Sequence, residues 1–550
     1  MAMRERLSVK KTESVLTVLL LCVLLAYLAL YAFADFRGFA RLATSDMYED
    51  TLAARLMWEE GSLFPKRFLF GNQLYVLATP SLSALFYGLT GSMNTAMALA
   101  TTCMSLLLLW SLDWMLRPFT RRPLLRAAAL LAAVGLFFGP GTIRREDGPQ
   151  LFYVMCSFYT CYAITNFVTL GDYARARIDG AKRLPALLLS LALCFCMGLQ
   201  SPRQTAVTVL PLLCLEGLRL LLRLCKRQPL LPQEARAPLL RTVLYTAANL
   251  TGLFASRLLP VRKHTIYPGL SIFQGASLSG KLREVRAALY GISGLDYVMR
   301  EDGPPFFLLM FLFCMGLVLA AVWLLVRRKE KEQAAASFWY LSVIAALGVV
   351  AAFFVTGVNM RTIYLFPLYF LPAFSLVLLG RHIRPERFCL LAALLLLLSG
   401  VNLYFSYRED VEAVLDPAET PSEAVCRYAL ENGRDLVYGE QSHTAPCIAV
   451  CSDGKLIAGC WQAEIPFKVS PYINIRDIYR FADFRRAIFV FQEHEIREGV
   501  LEEAKANGAE LSFCGQFGVY HVYNASQQLL YPVTDFLEYV EWSDAWEEYR

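Results

Sequence analysis

The sequence predicts a polytopic α-helical membrane protein of about eleven transmembrane helices, followed by a small C-terminal exoplasmic α/β domain. Three observations predict it. Apolar residues make up 56% of the 550-residue chain and charged residues only 18%, against roughly 45–50% and ~25% in soluble domains. Apolar runs of about twenty residues, enough to cross a hydrocarbon core, recur from Val15 to Phe405 and then stop. Charge divides at the same place. Residues 407–550 hold 12 Lys and Arg against 25 Asp and Glu, a net of −13, while 1–406 hold 41 against 22, a net of +19. A basic membrane domain, 1–406, is joined to an acidic, water-soluble one, 407–550.

The first apolar run, Val15 to Phe33, follows Arg4, Arg6, Lys10 and Lys11. Ala32-Phe33-Ala34 mimics a signal-cleavage site, but the run is long for a signal core and many spans follow, so a retained first helix is expected. Hydropathy and charged punctuation then place spans near 14–34, 93–116, 124–140, 149–170, 184–200, 204–222, 239–259, 304–326, 336–356, 361–380 and 388–406. Lys and Arg cluster in alternate loops: the N-terminus, 117–126, 175–183, 219–241, 327–331 and 381–387. By the positive-inside rule those loops are cytoplasmic, which puts the C-terminal domain outside the plasma membrane. Counting the stretch 74–90, interrupted by Pro80 and Gly88, as a span would reverse every later loop. It is therefore expected to lie along the outer interface. In the tail, strands are expected at 435–440, 447–450, 456–460, 487–491, 511–513 and 519–523, with a helix over 498–507.

The unusual polar residues collect in the loops assigned to the outer side. The first, 35–92, contains Thr44-Ser45-Asp46-Met47-Tyr48-Glu49-Asp50. A helix there sets Asp46 and Asp50 one turn apart on one face. It also sets Met47, Ala54 and Met57 or Trp58 on a stripe expected to face the membrane. Two readings stay open: carboxylates at the lipid–water boundary facing an acceptor, or a helix start capped by Ser45 or Asp46. The second loop, 140–149, sets Arg144, Arg145, Glu146 and Asp147 between Gly and Pro. Its acids suit catalysis and its arginines suit a phosphate. Arg300-Glu301-Asp302-Gly303-Pro304 repeats the pattern before another span, which equally suits a helix-start signal. Arg203, in the tight hairpin 200–204, and Arg361, shortly before Tyr364, stand at outer helix ends, where a cation either snorkels or holds a phosphate. Arg257, Arg262, Lys263 and His264 oppose the positive-inside trend, which favours an anionic ligand in loop 260–303.

Other chemistry is excluded or weak. The sequence has no dinucleotide, Walker, zinc-protease or nucleophile-elbow motif, and its five histidines are scattered. Topology accounts for the basic clusters, so no nucleic-acid partner is expected. Cys194 and Cys196 are expected to pack within a span. Cys447, Cys451, Cys460 and Cys514 are candidates for disulfides in an oxidising compartment, or less readily for zinc.

Taken in order, these features resemble the GT-C superfamily of integral membrane glycosyltransferases, nearest the bacterial relatives of protein O-mannosyltransferases and aminoarabinose transferases. The resemblance covers roughly 1–406. It rests on the Asp46 loop running through Gly61 and Pro65 to Phe86-Tyr-Gly-Leu-Thr-Gly91, the acidic loop between the third and fourth spans, and Arg361…Tyr364…Pro367. It implies a polyprenyl-phosphate-linked sugar donor and a hydroxyl acceptor on a glycan, lipid or protein, used at the outer face among membrane lipid. Asp46 matches the general base of the first loop, with Asp50 in reserve. Glu146 or Asp147 matches the acid that orients the acceptor or holds a divalent cation, and Arg203 and Arg361 match cations facing the departing phosphate. The first loop departs from the paired Asp-Glu of mannosyltransferases by reading Asp46-Met47, which leaves sugar and subfamily open. A flippase of lipid-linked sugars, a glycan polymerase or ligase, and a non-catalytic assembly subunit are the other readings. A flippase should carry ionisable groups at mid-bilayer, whereas Asp113 and Glu216 lie near the ends assigned to the cytoplasm.

Overall fold

The computed structural model describes residues 2–42, 44–68, 70, 73–145, 148–154, 159–179, 184–259, 278–300, 303–327, 334–355, 360–440, 443–462, 465–469, 484–495, 500–506 and 510–526. In chain order the helices are α1 (Ala2–Leu42), α2 (Ser45–Glu59), α3 (Thr79–Thr90), α4 (Met93–Leu116), α5 (Pro123–Gly135), α6 (Thr160–Asp179), α7 (Leu184–Gln200), α8 (Leu210–Cys225) and α9 (Gln233–Ala255). They continue as α10 (Leu278–Ser293), α11 (Leu295–Val298), α12 (Pro305–Arg327), α13 (Ala334–Val355), α14 (Leu371–Gly380), α15 (Pro385–Leu415) and α16 (Pro421–Glu431). The rest is β1 (Leu436–Glu440), α17 (Ala445–Cys451), β2 (Ile457–Gln462), β3 (Ile465–Val469), β4 (Ala487–Gln492), α18 (Val500–Ala506), β5 (Leu511–Phe517) and β6 (Tyr520–Ala525). The described residues fall into two compact units. One takes those within 1–32, 101–259 and 267–412, and the other those within 33–100 and 413–550.

Every predicted span position holds a helix, but among the described residues seven helices are long and apolar enough to cross a membrane. They are Val9–Leu42, Met93–Leu116, Thr205–Cys225, Pro305–Arg327, Ser337–Phe354, Thr362–Gly380 and Pro385–Leu415. Of the remaining four, α5 and α7 are apolar but have only 13 and 17 residues. α6 carries Asp172, Arg175 and Arg177, and α9 carries Glu234, Arg236 and Arg241. The span expected at 149–170 starts instead as a π-helical turn, Gln150–Val154, and α6 begins only at Thr160. The Thr160 hydroxyl donates to the carbonyls of Leu151 and Phe152, at 3.2 and 3.1 Å. It thereby ties the start of α6 to backbone acceptors of the preceding turn.

Within the first unit, polar side chains run as a seam between helices. Gln204 donates to Thr208 at 2.6 Å, Thr208 to Asn166 at 3.0 Å, and Thr205 to Asn249 at 2.6 Å. Further along α6, buried Asp172 takes Tyr245 at 2.6 Å and Arg241 at 3.0 Å, while Tyr173 and Arg219 close on Glu216. The middle of the seam is uncharged and one end holds the ion pairs, as expected where charge is costly to bury. Interhelical hydrogen bonds of this kind contribute about 0.6–2 kcal/mol each.

The second unit contains a six-stranded sheet in the order β3-β2-β1-β4-β6-β5, with β2, β1 and β4 parallel and the remaining pairs antiparallel. Two expectations need correction here. The strand expected at 447–450 is the helix α17, with Pro446 in its first turn; a four-residue apolar run does not separate a buried helix from a strand, whereas Pro marks a helix start. β3 escaped notice because Pro466 interrupts its pattern, a residue that an edge strand tolerates. Cys447, Cys451, Cys460 and Cys514 all carry free thiols. Cys451 turns its sulfur back onto the Cys447 carbonyl, 3.3 Å away and one helical turn earlier, not onto the Cys447 sulfur. The helical part of 74–90 is α3 alone, 12 residues or about 18 Å long, too short to cross a bilayer.

Candidate functional site

In the second unit the acids of interest stand on α2. Its N-cap is Thr44, in extended conformation and without a side-chain cap bond. Neither Ser45 nor Asp46 is the cap, but Asp46 does stand in the first turn, where an acid favours a helix start. The stripe expected to face membrane is also corrected. Met47, Ala54 and Met57 are each at most 3% exposed, packed inside the protein, while Trp58 is half exposed. Asp46 is half-buried and Asp50 fully buried.

Tyr75 explains how a carboxylate is tolerated in that position. Its phenol lies close enough to Asp50 for the two groups to act on one another. Burial first, then the charges of Asp50, Glu49 and Asp46, push the phenol well above its ordinary range. Tyr75 therefore stays protonated beside the acids. Asp46, Glu49 and Asp50 all act on this one ring, which makes them a single acidic cluster. Glu49 and Tyr75 belong to the cluster although sequence reading did not select them. Glu49 was visible beside Asp50; Tyr75, 25 positions on, had no signal.

In the first unit the paired arginines sit on the turn that follows α5. Gly139 has φ +124°, and a side chain there would meet the Tyr297 ring at 2.9 Å, so glycine lets the turn close on α11. Ser406 and Asp410 on α15 hold the turn. Ser406 Oγ accepts from the Gly139 amide at 2.9 Å, and Asp410 accepts from the Ile143 amide at 3.0 Å. Arg144 pairs with buried Asp410 at 3.1 Å and with Glu409 at 3.4 Å. Arg145 turns the other way. Its guanidinium lies 4.2 Å over the Tyr297 ring and donates to the Phe138 carbonyl at 3.3 Å. The buried Nε of Arg145 has no partner among the described residues. Arg145 borders a cavity of about 30 Å³ with Phe138, Gly148, Gly294 and Tyr369.

An aromatic belt links this cavity to three other predicted residues. The 3₁₀ helix Thr362–Phe370 starts after exposed Arg361, its N-cap, and carries half-buried Tyr364. Tyr369 of this helix lines the cavity and packs on Phe152 at 5.8 Å. Phe366 packs on Tyr159 at 5.7 Å, and the Arg203 guanidinium lies 5.5 Å from the Tyr159 ring. Arg145, Arg203, Arg361 and Tyr364 thus stand along one aromatic helix, whereas Arg144 is committed to α15. Glu146, Asp147, Arg262 and Lys263 lie outside the described residues. Among the described residues no three His, Cys, Asp or Glu side chains are grouped to hold a metal ion.

No family profile matches the sequence, and no curated protein does. Solved structures do match. ArnT from Cupriavidus metallidurans bound to undecaprenyl phosphate is 12% identical, with a TM-score of 0.54 over 93% of this chain and 99% of that one. The same protein in the apo state gives 10% and a TM-score of 0.41 over 92% and 97%. The apo oligosaccharyltransferase of Archaeoglobus fulgidus gives 10% and 0.39 over 80% and 64%. The match to undecaprenyl-phosphate-bound ArnT shows the fold. This chain is a multi-pass helical membrane protein with the fold of that structure and a small C-terminal sheet domain.

Proposed function

We propose that the protein moves a sugar from a polyprenyl-phosphate-linked donor to an acceptor hydroxyl at the outer face of the plasma membrane. In this reading the N-terminus is cytoplasmic, the C-terminal sheet domain is exoplasmic, and Asp46 is the general base. The observation that carries it is the fold shared, over nearly the whole of both chains, with a protein crystallised on undecaprenyl phosphate. Asp46 removes the acceptor proton as the hydroxyl oxygen bonds to the anomeric carbon, and the bond from that carbon to the phosphate oxygen breaks. The polyprenyl phosphate leaves with the electron pair. Arg145, Arg203 and Arg361 face its growing negative charge, where preorganised cations act most strongly. Asp50, sealed beside Tyr75, supports the acid cluster instead of exchanging protons with the acceptor. Glu146 or Asp147 orients the acceptor or holds a divalent cation.

The test uses full-length protein in lipid nanodiscs with undecaprenyl phosphate carrying mannose or aminoarabinose. Asp46→Asn is expected to lower transfer about 10²–10⁴-fold, the usual worth of a general base, while undecaprenyl phosphate still binds. Unchanged transfer by that variant overturns Asp46 as the base. Failure of the wild type to bind undecaprenyl phosphate at all overturns the donor class.

A further inference from the structure

The acids of α2 are aimed from the face of the helix opposite to them. Ile457 donates its amide to Asp435 at 2.9 Å on the β1 side of β2. Strand alternation therefore turns the next amide, that of Ala458, to the other side. β3 pairs with β2 only at Trp461 and Gln462, and among the described residues no strand reaches the Ala458 amide. Tyr48 does: its phenol oxygen accepts from the Ala458 amide at 2.9 Å, with both residues buried. A buried amide needs such a partner.

Seven residues along the same helix, Arg55 donates to the Gly454 carbonyl at 2.7 Å. That spacing keeps Tyr48 and Arg55 on one face. Gly454 has φ +86°, and a side chain there would run into the Met93 sulfur at 2.4 Å, so the turn that grips Arg55 admits glycine alone. Asp46 and Asp50 each lie two residues from Tyr48, roughly 200° around the helix in opposite directions. Both acids consequently point away from the contact with β2.

We propose that Tyr48 is a positioning residue, through which the C-terminal sheet fixes the rotation of α2 and hence the direction of Asp46 and Asp50. The sheet domain is in this sense a working part of the transferase and not a separate appendage. The proposal rests on the reading of Asp46 as base, and a rotation of α2 would move that carboxylate from the acceptor while leaving donor binding alone.

Full-length Tyr48→Phe in nanodiscs keeps the ring and removes the acceptor oxygen. Its kcat is expected to fall about ten- to a hundredfold, the cost of a small misplacement of a catalytic group, with KM for the undecaprenyl-phosphate-linked sugar unchanged. Hydrogen exchange over 45–59 and 457–462 is expected to quicken about five- to tenfold, the worth of one lost hydrogen bond. Wild-type kcat in Tyr48→Phe, or an equal loss in KM and kcat, overturns the positioning role. So does wild-type exchange over both segments. If Tyr48→Phe does not fold, Arg55→Gln is read by the same exchange and kinetic measurements, and wild-type values there overturn the proposal. The exchange measurement needs no substrate, so a failure of the clamp and a failure of the transferase reading give different results.

Discussion

α2 and the turn after α5 each carry two like charges close together, and in each the fold treats the two members differently. Asp50 is sealed under Tyr75 while Asp46 stays half-buried. Arg144 is spent on Asp410 and Glu409, while Arg145 lies over Tyr297 beside a cavity. The means differ. The buried acid is matched by a neutral phenol, which brings no counter-charge to the cluster. The committed arginine is matched by carboxylates, which cancels its charge and leaves Arg145 as the cation that an anion would meet. A neutral partner leaves the acids without a counter-charge, whereas the carboxylates beside Arg144 supply one.

The largest effect expected from this contrast separates Asp46 from Asp50. Asp46→Asn should remove about 10²–10⁴-fold of transfer with the fold intact. Asp50→Asn should act mainly on stability, by about 1–3 kcal/mol, because a buried polar contact with Tyr75 is disturbed. Thermal unfolding and transfer rates measured on both variants decide the matter. Equal losses of activity without loss of stability would make the two acids equivalent and break the comparison.

The arginines should separate in the same manner at smaller scale. Arg145→Ala is expected to weaken undecaprenyl phosphate binding about ten- to a hundredfold, the range of one charge-assisted hydrogen bond, with little change in stability. Arg144→Ala leaves Asp410 buried with the Ile143 amide as its remaining support and should cost about 1–3 kcal/mol, with binding retained. Binding isotherms and unfolding curves that show the reverse pattern would exchange the two assignments.

How far these roles were legible follows from the distance over which each is decided. The placing of Asp46 and Asp50 on one helix was readable because it depends on a local period. Which of them is sealed depends on Tyr75, and which arginine is committed depends on Asp410, 266 positions from Arg144. No local pattern carries either fact. Membrane character and the order of helices were legible because hydropathy accumulates over twenty residues. The turn at 150–154 was not, since it depends on Thr160 reaching back to two carbonyls. Likewise, β3 was hidden by Pro466, and α17 was misread because its apolar run is shorter than either period needs.

Tyr75→Phe probes the neutral partner directly. It keeps the ring that covers Asp50 and removes the donor, so about 1–2 kcal/mol of stability should go. Because the carboxylates then lose the polar phenol beside them, their ionised form is less favoured and transfer should also become more sensitive to acid. The pH dependence of kcat in this variant, compared with wild type, tests whether the phenol supports the cluster or only fills space. An unchanged profile with unchanged stability would leave Tyr75 without the role assigned to it.

The smallest effect concerns the C-terminal unit, where Glu423 offers a milder version of the counter-charged case. Burial pushes its carboxyl up, but the Thr420 amide and then Arg41, 3.0 Å away, outweigh burial and hold it below the ordinary 4.5. A folded-state value below the unfolded one means that the folded protein binds fewer protons in that range. The stabilisation is therefore complete above about pH 4.5 and is lost as the pH falls through the lower, folded value. Hydrogen exchange over 421–431, corrected for intrinsic rate, should quicken on acidification from pH 6 to pH 4. In Arg41→Gln the same segment should start faster and show a shallower pH response. A response as steep as that of wild type would assign the acid sensitivity to other carboxylates of the unit, among them Glu59, which Arg55 and Arg67 hold down against its own burial.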